Sequence, residues 1–215
     1  MRVFGSGEAV YHQGDKPNGV YLAVAGYVAL EFIDQGGNTV TDRLVSEGGC
    51  FGYASHIRQS PHSVTALALT PLRLFHVPGH MLRELPHDTC FLRQGCEAHL
   101  AQALIDRRSD LLVGERRNLE ARIMWLLRLL PRVPDNGPGV LVRLPFSLTT
   151  VARLLNSRPE SLSRALRRLE RQGACQLEGR RRVRVFHDID APADPKLAQQ
   201  CPGFAQLAAT APSPD

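Results

Sequence analysis

Short apolar-rich runs separated by turn signals fill residues 8–78. The runs are Ala9-Val-Tyr-His, Val20-Tyr-Leu-Ala-Val-Ala, Tyr27-Val-Ala-Leu-Glu-Phe-Ile, Val40-Thr-Asp-Arg-Leu-Val, Ser63-Val-Thr-Ala-Leu-Ala-Leu and Leu72-Arg-Leu-Phe-His-Val. Between them lie Gly14-Asp15, Pro17-Asn18-Gly19, Gly26, Gln35-Gly36-Gly37-Asn38 and Gly48-Gly49. Glycine and Asn-Gly reach the positive backbone angles that tight reversals need. Many short strands with this punctuation predict an all-β sandwich or barrel.

After Pro86 the pattern changes. Residues 87–112 hold no proline and a single glycine, Gly95. Leu92, Cys96, His99 and Ala103 recur at three- and four-residue steps, which places them on one helical face. That face suits either an ordinary core-facing helix or a helix packed on its own copy. Asn118 to Leu130 is a stronger amphipathic stretch, carrying Leu119, Ile123, Trp125, Leu126, Leu127, Leu129 and Leu130, and Pro131 ends it. Residues 131–139 read as a loop.

A third pattern begins at Leu141-Val-Arg-Leu-Pro, a short edge-like strand. Ser147 offers an N-cap for a short helix through Leu155. Asn156-Ser-Arg is a turn, and Pro159 and Glu160 suit the first turn of another helix. That helix runs to Gln172 with Leu162, Ala165, Leu166 and Leu169 on one face, and Gly173 stops it. Gln176 to Phe186 is a hairpin turning at Glu178-Gly179, and residues 191–215 read as a flexible tail.

Charge sharpens this picture. The 215 residues carry a net charge of +5, unevenly placed. Residues 141–186 hold eleven basic side chains, all arginine, against three acidic ones, net +8. A compact arginine block of this kind is an electrostatic footprint for a polyanion. Chain length suffices for a core without disulfides. The five cysteines are scattered, with no Cys-x-x-Cys spacing, so reduced thiols are expected. No apolar run reaches the eighteen residues of a membrane helix, and the first residues form no apolar signal core. The expectation is a cytoplasmic protein that does not engage membranes.

Helix, tight turn, helix and basic hairpin together predict a winged helix-turn-helix. An amphipathic helix with a solvated face would explain the second helix alone, but not the whole series. The DNA-facing candidates on and before that helix are Arg158, Glu160, Ser161, Ser163, Arg164, Arg167 and Arg168. Arg164 can donate two hydrogen bonds to guanine, and Glu160 can accept from cytosine. Ser163 can meet a base edge or a phosphate. Thr149 on the first helix joins this set, and Arg180, Arg181, Arg182 and Arg184 on the hairpin can lie along phosphates.

At this point the sequence resembles the CRP/FNR regulators. Gly7-Glu-Ala-Val-Tyr-His-Gln-Gly-Asp, Val20-Tyr-Leu-Ala-Val-Ala-Gly-Tyr-Val-Ala-Leu and Gly48-Gly-Cys-Phe-Gly are similar to their sensor β-roll. Asn156-Ser-Arg-Pro-Glu-Ser-Leu-Ser-Arg-Ala-Leu-Arg-Arg-Leu-Glu resembles their recognition helix. The likeness runs from about residue 5 to 187 in the family's order. It implies an α+β fold: a cyclic-nucleotide-binding-like β-roll (a double-stranded jelly roll) over 1–86, a long dimerisation helix over 87–113, and a winged helix-turn-helix over 114–190. The implied function is a homodimeric transcription regulator that binds double-stranded DNA, with RNA polymerase as a further partner if it activates. Glu160-x-x-Ser163-Arg164 matches the FNR-branch pattern and implies a TTGAT-like half-site.

The departures concern the signal. The cAMP-binding relatives hold the ribose with a Gly-Glu pair and the cyclic phosphate with an Arg-Ser pair. The matching stretches here are Gly52-Tyr53 and His62-Ser63, the candidate effector pocket. A tyrosine cannot replace a carboxylate acceptor, and a mostly neutral histidine poorly replaces a bidentate arginine. No cysteine precedes Cys50, which argues against the family's N-terminal iron–sulfur cluster. Haem is left open by His56, His62, His76, His80, His87 and His99, although no pair has a recognised ligand spacing and no metal site is expected. His99 reads first as a polar residue setting the register of a helix pair, and Cys90 and Cys96 as packing residues. A nucleotide-binding module without a DNA role is disfavoured by the winged helix. An enzyme is disfavoured because no nucleophile–base, phosphate-loop or metal motif is present.

Overall fold

A computed structural model describes residues 1–84, 119–179 and 181–186. These fall into two compact units, residues 1–84 in one and the remainder in the other. The expected dimerisation helix over 87–113, Arg180, the tail over 191–215, and His87, His99, Cys90 and Cys96 lie outside the described residues.

In the first unit, eight strands form two antiparallel four-stranded sheets. The strands are β1 (Arg2–Phe4), β2 (Ala9–Tyr11), β3 (Gly19–Ala25), β4 (Val28–Ile33), β5 (Thr39–Val45), β6 (Cys50–Phe51), β7 (Thr65–Ala68) and β8 (Leu72–Pro78). Sheet orders are β1-β8-β3-β6 and β2-β7-β4-β5. The chain crosses between the sheets at every step except the β4–β5 hairpin, which is the winding of a β-roll. Tyr21, Ala23, Phe51, Leu72 and Leu74 face inward from the first sheet, and Tyr11, Val28, Leu30, Val45, Ala66 and Ala68 from the second. Period-two alternation supplies these faces. Gly26 reverses the chain between β3 and β4 at φ +97°, and a Cβ there would meet the Pro71 carbonyl at 2.5 Å. The six expected strands form. Two further strands, β1 and β6, and two short helices, α1 (Tyr53–Arg58) and α2 (Gly79–Glu84), are additional.

The second unit holds α3 (Leu119–Leu129), β9 (Arg132–Val133), β10 (Val140–Arg143), α4 (Leu148–Leu154), α5 (Pro159–Arg171), β11 (Cys175–Leu177) and β12 (Arg182–Val185). Its antiparallel sheet has the order β11-β12-β10-β9. β10 is therefore interior to the sheet, not at its edge, because part of the expected loop over 131–139 extends and pairs as β9. The expected apolar face of α3 is also narrower. Ile123, Leu126, Leu127 and Leu130 are buried, while Trp125 and Leu129 lie on the exposed side. Leu162, Ala165, Leu166 and Leu169 form the buried face of α5, and Val142, Val183 and Val185 are buried in the sheet. Fully burying one leucine side chain contributes about 1.5–3 kcal/mol.

Candidate nucleic-acid interface

The helix pair is set by local chemistry. Ser147 caps α4 by accepting a hydrogen bond from the Thr150 N–H at 3.2 Å. Val151, Ala152 and Leu154 turn that helix inward. Asn156 then takes a left-handed conformation at φ +45°, and Ser157 N–H bonds to the Ala152 carbonyl at 2.9 Å. Asparagine tolerates this region better than most residues. Arg158 is extended and Pro159 occupies the first turn of α5, so the chain reverses within four residues. Gly173, at φ +68°, follows the end of α5.

The exposed side of α5 divides its arginines by use. Pro159, Glu160, Ser163, Arg164 and Arg167 line one shallow, open groove. Residues 160, 163, 164 and 167 recur at helical spacing, so they share a face. Arg168 leaves this line: its Nε donates to Glu120 of α3 at 2.6 Å. Arg171 folds back and donates to the Arg167 carbonyl at 3.3 Å. Arg164 and Arg167 have no side-chain partner among the described residues. Arg158 and Thr149 are exposed and Ser161 is half-buried.

The wing follows directly. β11 and β12 pair through Gln176↔Arg184 and Leu177↔Val183, with Gly179 at φ +71° in the turn. Glu170 of α5 accepts a hydrogen bond from the Leu177 N–H at 2.9 Å, which ties the helix to the wing. Arg181 and Arg182 are exposed. Arg184 is not available to a phosphate as expected. Its side chain is only 12% exposed and is bound by Asp135 at 2.5 Å and by Glu178. A third bond runs to the Pro138 carbonyl at 3.2 Å. The Arg184 hydrogen bond holds the Asp135 carboxyl below its ordinary range.

The candidate effector residues lie in the first unit. Gly52, at φ +83°, precedes α1, and Tyr53 is buried. Arg43 reaches in from β5, donating to the Tyr53 hydroxyl at 3.4 Å and to the Cys50 carbonyl at 3.2 Å. His62 is buried and stacks on Tyr11. Burial lowers the His62 pKa, and Asp15 opposes this in smaller measure. Burial likewise pushes the Tyr11 phenol far above its ordinary value. Ser63 is exposed, unlike the buried His62 beside it. Tyr11 and Arg43 were not legible as pocket residues: only the strand register shows Arg43 opposite the core residue Leu30. Among the described residues, no group of three His, Cys, Asp or Glu side chains is placed to hold a metal. No helix there is long and apolar enough to cross a membrane.

The second unit is thus a winged helix-turn-helix, the fold of a DNA-binding domain, and the first is a β-roll. Comparison with known proteins agrees. A cyclic nucleotide-binding domain matches residues 1–88, and a Crp-like helix-turn-helix domain matches residues 121–191. The chain is 26% identical to the global nitrogen regulator of Synechococcus elongatus over 197 residues, covering 86% of this chain and 85% of that protein. It is 29% identical to the cyclic AMP receptor protein of Thermus thermophilus over 183 residues, covering 82% and 79%. The structure of FixK2 from Bradyrhizobium japonicum shares the fold with a TM-score of 0.72 at 22% identity, covering 89% of this chain and 97% of that one. The chain belongs to the CRP/FNR family of DNA-binding transcription regulators.

Proposed function

We propose that this protein is a homodimeric, sequence-specific regulator acting in the cytoplasm. The β-roll receives a signal, the segment over 87–113 pairs two chains, and each α5 reads one half of a TTGAT-like palindrome. A signal would bias two dimer arrangements that differ in the spacing of the recognition helices. RNA polymerase is a partner if the outcome is activation, and no catalytic role is assigned.

The observation that carries this reading is the division among the α5 arginines. Arg168 is held by Glu120, while Arg164 lies with Glu160, Ser163 and Arg167 along one exposed groove. Arg164 can donate to guanine O6 and N7, and Glu160 can accept from a cytosine amine. The test is a titration of labelled palindromic TTGAT duplex against a scrambled duplex of equal length. Preferential binding of the palindrome supports the reading; equal binding at every salt concentration contradicts it.

The signal is not a tightly held cyclic nucleotide. A phenol that accepts from Arg43 stands where the relatives place a carboxylate, and an imidazole stacked on Tyr11 stands where they place a guanidinium. Burial also disfavours the charged form of His62.

A further inference from the structure

Arg143 and Arg182 stand directly opposite one another in the β10–β12 ladder, and both are exposed. Opposed residues in an antiparallel pair have Cβ atoms about 5 Å apart, and like charges so placed destabilise the sheet. Neither guanidinium has an ion-pair or hydrogen-bond partner among the described residues. The contrast with Arg184 is informative. It lies two residues along the same strand from Arg182, hence on the same face of the sheet, and it is met by both Asp135 and Glu178. Among the described residues, two carboxylates meet Arg184 and none meets the neighbouring pair.

Position adds the second argument. The Arg143–Arg182 end of the ladder adjoins the wing turn, where the Leu144 N–H donates to the Arg181 carbonyl at 2.9 Å. From there the chain passes through Phe146 to the Ser147 cap of α4, so the pair lies beside the start of the helix-turn-helix. We propose that Arg143 and Arg182 together clamp one backbone phosphate of the DNA duplex. The inference rests on the DNA reading above and adds Arg143 to it. Guanidinium forks match phosphate oxygens in geometry, and an anion between the two groups removes their mutual repulsion.

Two measurements test this on the full chain, using Arg143→Gln, Arg182→Gln and the double variant. The first is the dependence of log K on log salt for the palindromic duplex. Releasing one phosphate reduces the slope by about 0.9. The double variant should show a slope smaller by about 0.9 per bound recognition helix, because one phosphate is released. A reduction of about 1.8 per helix would mean two separate phosphates, and no reduction would mean none; either result overturns the clamp. The second is the melting temperature of the DNA-free protein. Each single substitution should raise it at low salt, and added salt should erase the gain. A lower melting temperature in both single variants would overturn the pairing of unneutralised charges. A wild-type chain with no affinity for duplex would defeat the DNA reading and the clamp together, whereas wild-type binding with unaltered variant slopes defeats the clamp alone.

Discussion

His62 lies flat on Tyr11, with ring centroids 3.6 Å apart and planes 10° from parallel. Tyr11 belongs to the core cluster of the β-roll, beside Tyr21 and Phe51, and His62 is buried against it. The resemblance read from the sequence matches His62 to the cation of the cAMP-binding relatives, and an aromatic stack is the proposed occupant of that position here. Calorimetry with cAMP is accordingly expected to show no micromolar or tighter binding. A micromolar dissociation constant would show that Tyr53 and His62 do not occupy the positions assigned to them.

The same stack predicts a pH dependence. Burial, more than the opposing Asp15, lowers the His62 pKa, and burial with Arg2 does the same for His76. The unfolded chain then takes up protons near pH 6.5 that the folded chain resists. The stability of the neutral forms is therefore complete above that pH and declines as pH falls below it. Melting curves between pH 7.5 and 5.5 should show this decline, and His62→Phe should flatten it. An unchanged slope in that variant would place the dependence elsewhere.

Arg184 and Arg181 occupy the same wing but differ in surroundings. Arg184 is enclosed by Asp135 and Glu178, so Arg184→Gln should lower the melting temperature while leaving the salt slope of DNA binding unchanged. The melting difference should narrow as pH falls through the carboxylate range, because the depressed Asp135 pKa contributes stability only while that group is ionised. Arg181→Ala should do the reverse: little change in melting, weaker binding to all sequences, and a slope smaller by about one for each phosphate released.

The parts of this fold that were legible in sequence are those written in local chemistry. Ser147, Pro159 and Gly173 mark helix ends, and the apolar spacing of Leu162, Ala165, Leu166 and Leu169 gives the buried face of α5. The unread parts depend on distant partners. β6 is two residues long and has no period to detect. α1 begins at Gly52 without a side-chain cap, and no acidic residue lies in its first turn. β9 borrows its hydrogen bonds from β10 within a proline-rich segment. The sequence offered Arg182 and Arg184 alike as phosphate contacts on the hairpin; only the fold brings Asp135 from 49 positions away to neutralise one of them. Arg143 stands out only in the fold for the same reason, since its significance lies in the residue opposite it.

Assembly gives a geometric prediction. One recognition helix reads few base pairs, so affinity is expected to come from two half-sites. Two copies of α5 should stand about 34 Å apart when bound, one turn of DNA. Sedimentation with the palindromic duplex should show two chains per duplex. A single chain per duplex at micromolar concentration would contradict this.

The central claim is that α5 reads bases, and Arg164→Ala tests it most directly. Its binding should be measured on the TTGAT palindrome and on single-base changes of it, at several salt concentrations, beside Arg181→Ala. The substitution should cost about 1–3 kcal/mol on the preferred site and relax preference at one base pair per half-site. Arg181→Ala should leave the ranking of sites intact, because phosphates carry no sequence information. A ranking unchanged by Arg164→Ala but altered by Arg181→Ala would reverse the roles of helix and wing. If neither substitution changes binding, the arginine block is solvated surface and the account fails.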